Sequence, residues 1–186
     1  MNKEQSTLRE NELLAKTAAG DETAFSELYE LTSKSVYFYL YRLLKDRESA
    51  EDVQIEVFTQ VWKGADKFKG KSKVTTWIFG IARNLAMNEL RKRKHHANID
   101  DYPDISVEDK PNLEAEDQKK IIKSAMSKIT SKHREILDLV FFHEMNYQEV
   151  SDILHVPVNT VKTRVFYAKS AFKKKLKQLR VYDDDI

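Results

Sequence analysis

Apolar residues recur at steps of three and four through most of this chain, the spacing that gathers them on one side of a helix. From Ala24 to Leu44 the recurring set is Phe25, Leu28, Tyr29, Val36, Tyr37, Leu40, Tyr41 and Leu44, which predicts a long aromatic helix. A short helix is expected before it, Asn11 to Ala19, ending near Gly20. Asp46 and Ser49 offer N-caps for a third helix running to about Lys63. The loop GADKFKGKSKV follows, and a fourth helix is expected from about Thr75 to Lys94. Leu113 to Lys128, Lys132 to Phe142, Tyr147 to Leu154 and Val158 to Gln178 complete the set, with VYDDDI as a frayed tail. The fold class is all-α.

The segment Tyr147 to Leu154 places Val150, Ile153 and Leu154 on one short face. His155 and Val156 make a turn, and Pro157 stands where a helix starts without needing its N–H. The next helix carries Val161, Val165, Ala168 and Phe172 inward. Its other face shows Asn159, Thr160, Lys162, Thr163, Arg164, Tyr167 and Lys169, with no acid among them. This is a helix-turn-helix whose second helix is built to enter a DNA major groove.

Two further helices divide their faces. In the third, Ala50, Val53, Val57 and Val61 form one apolar stripe, and Ile55, Phe58 and Trp62 form a second on another side. One stripe packs a small bundle. The second either awaits a partner or marks a helix buried on most of its circumference. In the fourth, Trp77, Ile78, Ile81, Ala82 and Leu85 point inward, while Arg83, Asn84, Met87, Asn88 and Arg91 share the other side. Asparagine is a poor helix-interior residue unless its amide has something to bind. Two asparagines one turn apart, beside arginines, suit base edges or unpaired bases while the cations hold phosphates. A merely solvated basic face is the alternative. The stretch from Asp66 to Lys94 has nine basic residues against two acids.

The chain has 186 residues, a third of them charged, and only four glycines and three prolines, which supports an all-helical protein. With no cysteine, disulfides and thiolate metal sites are excluded, and a reducing compartment is expected. The N-terminus lacks a signal-peptide core and no segment reaches membrane-span length, so a cytoplasmic protein is expected. The net charge of +2 conceals its distribution. Residues 1–97 carry 17 basic and 14 acidic side chains, 98–118 one against eight, and 119–186 14 against eight. The acidic strip holds two prolines and few large apolar residues, so it reads as a linker between two basic helical domains.

Catalysis is not indicated. The chain lacks a Gly-rich phosphate loop and an HExxH motif, His95 and His96 are adjacent rather than spaced, and His143 beside Glu144 reads as an exposed helix-end histidine. No catalytic residue, metal, cofactor or small-molecule substrate is expected.

Four segments in order resemble the extracytoplasmic-function sigma factors of bacterial RNA polymerase: AFSELYELTSKSVYFYLYRLLKDRESAEDVQIEVFTQVWK, VTTWIFGIARNLAMNELRKRK, ITSKHREILDLVFFHEMNYQEVSDIL and VPVNTVKTRVFYAKSAFKKKL. The resemblance runs from about Thr23 to Leu179. It implies a transcription initiation factor that binds core polymerase at its clamp helices and flap, and promoter DNA. Residues 1–97 would be region 2, 98–118 a linker threading the active-site channel, and 119–186 region 4. Polymerase docking would fall to Asp52, Gln54, Glu56, Val57, Phe58 and Trp62. The minus-ten element would be recognised and melted by Lys73, Val74, Thr76, Arg83, Asn84, Met87, Asn88 and Arg91, with the loop Gly70 to Val74 receiving a flipped base. The minus-thirty-five element would be read by Asn159, Thr160, Lys162, Thr163, Arg164, Tyr167 and Lys169. An anti-sigma partner, in some cases anchored in the membrane, is also implied.

This sequence departs from the family pattern at three places. Val74 replaces a frequent aromatic residue, Thr130 a common proline, which alters capping, and His155 a frequent glycine, at a turn where positive φ costs histidine little. The rival readings are a polymerase-independent helix-turn-helix regulator, a helical metal-dependent hydrolase and an RNA-binding protein.

Overall fold

A computed structural model describes residues 3–96 and 113–183. Those residues contain no strand. They divide into two compact units, the first built on the four helices before residue 97, the second on the helices after residue 112.

The first unit comprises α1 (Lys3–Ala18), α2 (Glu22–Leu44), α3 (Arg47–Gly64) and α4 (Val74–His96), with a 3₁₀ turn, Ala65–Lys67, after α3. Helix α1 starts at Lys3, earlier than the apolar stripe alone predicts. Polar contacts support the added turns: the Ser6 hydroxyl donates to Glu10 at 3.2 Å, and Arg9 pairs with Glu27 of α2 at 2.7 Å. The caps behave as their residues dictate. Asp21 accepts from the Ala24 amide at 3.0 Å and Asp46 from the Ser49 amide at 2.9 Å. Helix α2 ends on Lys45 in the left-handed region, φ 54°, its N–H bonded to the Tyr41 carbonyl.

Leu28, Val36, Tyr39 and Leu40 of α2, Val57 and Val61 of α3, and Ile78, Phe79 and Ala82 of α4 form the sealed core. Tyr39 and Phe79 meet at 5.1 Å between ring centroids. Thr17 and Thr32 are buried without penalty because each hydroxyl donates to the carbonyl four residues before it. At one corner Arg93 of α4 donates to the Leu44 carbonyl and to Asp46, each at 3.2 Å, and also to Ser49. It therefore ties the end of α2 and the start of α3 to α4.

The second unit comprises α5 (Leu113–Ser127), α6 (Ser131–Leu137), α7 (Tyr147–Leu154) and α8 (Val158–Asp183). The last part of the segment read as linker, Leu113 to Gln118, is thus helical, and its first part lies outside the described residues. Arg134 of α6 donates to the carbonyls of Met126 at 3.0 Å, Ser127 at 2.9 Å and Ile129 at 3.2 Å, satisfying acceptors at and just after the end of α5. Thr130 caps α6, accepting from the His133 amide at 3.3 Å, so its substitution for proline does bear on capping. Helix α6 stops being α-helical at Leu137 and continues as a π turn over Asp138–Phe142. Helix α8 runs on to Asp183, so part of the tail expected to fray is helical. Leu176 and Leu179 extend its apolar stripe and are half-buried.

The Asp46 carboxyl is held below the usual carboxylate range, first by its Ser49 hydrogen bonds and then by Arg93, against the opposing effect of burial. A carboxylate with a lowered folded-state pKa contributes stability above its unfolded pKa of about 3.9 and loses that contribution as pH falls through the folded value. Asp46→Ala, which removes the cap, should destabilise the fold by about 1 kcal/mol at neutral pH. Asp46→Asn should be less stable than wild type at pH 7, with the gap closing below pH ~4; urea unfolding across that range reads both.

Candidate nucleic-acid interface

Helix α4 turns Val74, Ile78, Phe79, Ala82, Leu85 and Ala86 inward. Its outward side leaves Asn84, Asn88 and Arg91 exposed and Arg83 and Met87 half-buried. Arg91 donates to the Asn88 side-chain oxygen and, at 3.3 Å, to the Met87 carbonyl. The guanidinium and the amide are therefore held together as one polar plate, and the Asn88 NH₂ is the amide's donor end. A shallow cavity of ≈ 350 Å³ between α3 and α4 is bordered by Val53, Glu56, Leu85, Asn88 and Arg91.

Ahead of α4, Lys67, Lys69, Lys71 and Lys73 are exposed. Phe68 in their midst packs on Trp77 at 5.3 Å, which confirms Trp77 as an inward residue and pins the loop to the helix. Gly70 has φ 65°, a turn that a branched side chain would strain.

Two residues expected on this surface are not on it. Val74 is fully buried as the first residue of α4, and Thr76 is 3 % exposed. Both lie on the inner side of the helix's first turn, so neither side chain is presented to a base. The Thr76 hydroxyl is buried with no hydrogen-bond partner.

On α3 the two apolar stripes have different fates. Ala50, Val53, Val57 and Val61 are buried as expected. Phe58, expected at a partner surface, is 4 % exposed because Tyr29 of α2 covers it edge-on at 4.6 Å. Val57 is likewise internal. Gln54 donates to the Ser33 carbonyl of α2 at 2.8 Å, a tie within the bundle. The exposed members are Asp52, Glu56, Ile55 at 68 % and Trp62 at 36 %, the last resting edge-on against Phe25. Tyr29, Leu31 and Phe38 of α2 are also exposed large apolar residues. Composition hinted at them, since α2 has more aromatic residues than one inward stripe needs.

In the second unit, Asn146 and Glu149 form a reciprocal cap at the start of α7. The Asn146 side chain accepts from the Gln148 and Glu149 amides at 2.9 and 3.0 Å, and the Glu149 carboxylate accepts from the Asn146 amide at 2.8 Å. The helix ends in a Schellman turn: the Val156 N–H reaches the Ser151 carbonyl at 3.2 Å while His155 sits at φ 53°. The Thr160 and Val161 amides bond to the Pro157 carbonyl, so α8 starts where the proline predicts.

Helix α8 buries Val161, Val165 and Ala168 and exposes Asn159, Lys162, Thr163, Tyr167 and Lys169, with Thr160 and Arg164 half-buried. The Thr163 hydroxyl donates to the Asn159 carbonyl at 3.0 Å. Lys169 lies over the Phe141 ring at 4.9 Å, which fixes its direction. Phe166, unnoticed in the sequence, is 69 % exposed and meets Tyr167 edge-on at 5.5 Å. Its position between two buried-stripe residues, Val165 and Ala168, conceals that it points outward. Phe141 and Phe142 of the π turn are exposed as well.

His143 is not the exposed helix-end residue expected. Its side chain is 7 % exposed and its Nε2 lies 3.4 Å from Asp138. The π turn explains this, because the His143 N–H bonds to the Asp138 carbonyl five residues back and stacks the two side chains. Among the described residues no group of three or more His, Asp or Glu side chains is placed to hold a metal ion.

A helical unit with an amide-and-arginine face, together with a second unit carrying a helix-turn-helix, defines a two-domain DNA-binding protein of transcription. Residues 28–96 match the family model of sigma-70 region 2, and residues 125–174 that of sigma-70 region 4. The chain is 29% identical over 173 residues to the ECF RNA polymerase sigma factor SigW of Bacillus subtilis, covering 86% of this chain and 92% of that one. It is 26% identical over 163 residues to SigK of Mycobacterium tuberculosis, covering 82% and 86%. The fold is shared with CnrH, solved in complex with the cytosolic domain of CnrY (TM-score 0.70, 19% identity, 91% and 98% covered). It is shared too with the sigma factor RpoE of Bartonella quintana, solved with the anti-sigma factor NepR (TM-score 0.67, 23% identity, 82% and 96% covered). The chain belongs to the sigma-70 family, in its extracytoplasmic-function branch, and is a transcription initiation factor.

Because Thr76 is buried with an unpaired hydroxyl, Thr76→Val should raise the unfolding free energy by about 1 kcal/mol and leave DNA binding unchanged. Thermal unfolding and promoter binding measured on one preparation check both halves; a loss of DNA binding would return Thr76 to the contact surface.

Proposed function

We propose that this chain binds core RNA polymerase and directs it to promoters, with residues 1–97 docking on the clamp helices and melting the minus-ten element. Residues 98–118 form an acidic spacer, and residues 119–186 meet the flap and read the minus-thirty-five element. The observation that carries the reading is the outward face of α4, where Asn84, Asn88 and Arg91 are exposed beside four exposed lysines. Amides discriminate bases by paired donor and acceptor, whereas lysines and arginines hold phosphates without reading sequence. On α8, Asn159, Thr160, Lys162, Thr163, Arg164, Tyr167 and Lys169 serve the same two purposes in a major groove, and Phe166 adds an apolar contact.

The docking surface is Asp52, Ile55, Glu56 and Trp62, with Gln54, Val57 and Phe58 supporting it from beneath. An anti-sigma partner regulates the chain, in keeping with the complex in which NepR holds RpoE. The protein works in the cytoplasm beside polymerase and DNA, and none of its described helices is long and apolar enough to cross a membrane. It performs no covalent step itself. Alone it binds promoters weakly, because two small interfaces act together only once their spacing is fixed.

Purified chain should co-elute with core polymerase on size exclusion. Replacing Ile55 and Trp62 by alanine should weaken that association at least about tenfold, the scale of an apolar hot spot. A wild-type chain that fails to associate, with core shown to bind another sigma factor, would favour the stand-alone regulator. Asn84→Ala and Asn88→Ala should each slow promoter opening about tenfold or more, the scale of one lost bidentate base contact, with core binding intact. Loss of core binding in those variants would sink the minus-ten assignment.

A further inference from the structure

The region 2 match begins at residue 28, so α1 lies outside it. Yet α1 is well anchored: Leu13 and Leu14 are buried, Thr17 is sealed, and Arg9 holds Glu27. The exception to this inward role is Glu10. One carboxylate oxygen accepts from Ser6 on its own helix at 3.2 Å. The other accepts from the Thr75 hydroxyl at 2.5 Å, across a separation of 65 residues.

Thr75 is the second residue of α4, and that helix has no acid of its own in its first turn. The first helical amides carry a partial positive charge that an acid normally offsets. Glu10 supplies it from another helix. The flanking side chains Val74 and Thr76 are buried and fix how deep the first turn sits. Thr75 is half-buried and carries the contact to α1, so the Glu10 bond fixes the turn's rotation. The lysine-rich loop ends at this turn, and Asn84 and Asn88 ride on the same helix.

We propose that Glu10 is a positioning residue for promoter opening, acting through Thr75 to hold the start of α4 and the end of the lysine loop. This rests on the reading that the loop and the outward face of α4 engage the minus-ten element. Glu10 itself touches no DNA in this account.

The test uses full-length chain assembled with core polymerase on a duplex promoter whose opening is read by a fluorescent base in the minus-ten element. Glu10→Ala and Thr75→Val should each slow opening about fivefold, the scale of one lost charged hydrogen bond. The double variant should be no slower than either single one, and Thr75→Ser, which keeps the hydroxyl, should open at the wild-type rate. Co-elution with core should be unchanged in all of them. Normal opening by Glu10→Ala, or equal slowing by Thr75→Ser and Thr75→Val, would overturn the proposal. Asn84→Ala run in parallel separates the two levels. If it slows opening and Glu10→Ala does not, only the positioning role fails. If neither slows opening, the minus-ten reading fails with it.

Discussion

A single guanidinium holds the corner on which the first domain turns. Arg93 of α4 reaches the Leu44 carbonyl at the end of α2 and the Asp46–Ser49 cap at the start of α3. Three helix segments converge there, each bringing polar groups that its own helix leaves unmatched. Burial then does the rest: the α2 core residues Leu28, Val36, Tyr39 and Leu40 lie under α3 and α4. With that corner fixed, α3 shows Ile55 and Trp62 outward and α4 shows Asn84 and Asn88. The second domain uses arginine similarly, as Arg134 gathers the carbonyls that end α5.

These corners let neighbouring helices specialise. An apolar surface on α3 suits a protein partner, and a polar, cationic one on α4 suits nucleic acid. The shallow cavity between them is bordered by Glu56 from one and by Asn88 and Arg91 from the other. Partner docking and DNA engagement are thereby set a helix apart on a shared rigid base. A shift at one surface is felt at the other through packed side chains.

Much of this was written in local chemistry. Asp46, Pro157 and His155 each mark a boundary because their preferences act within a few residues, and the helix Tyr147–Leu154 was bounded correctly at both ends. The sequence failed where the answer depended on a distant element. Phe58 and Ile55 belong to the same outer stripe, and only Tyr29 from α2 decides which is covered. Val74 and Thr76 were assigned to a loop edge, but α4 begins one residue sooner than expected and carries both inward. Glu10 and Thr75 are 65 residues apart, beyond any periodicity. His143 was misplaced because a π turn has no simple signature in spacing.

That π turn has a bearing on how the chain tolerates change in length. It holds one residue more per turn than an α-helix, so deleting any residue of Asp138–Phe142 converts it to regular helix rather than breaking it. The removal swings whatever follows by about 100° around the axis. The histidine would no longer stack on Asp138, and an aromatic edge now facing outward would be turned aside. Relatives that differ here by one residue would therefore keep the helix-turn-helix beyond it while presenting a different surface to whatever meets Phe141 and Phe142.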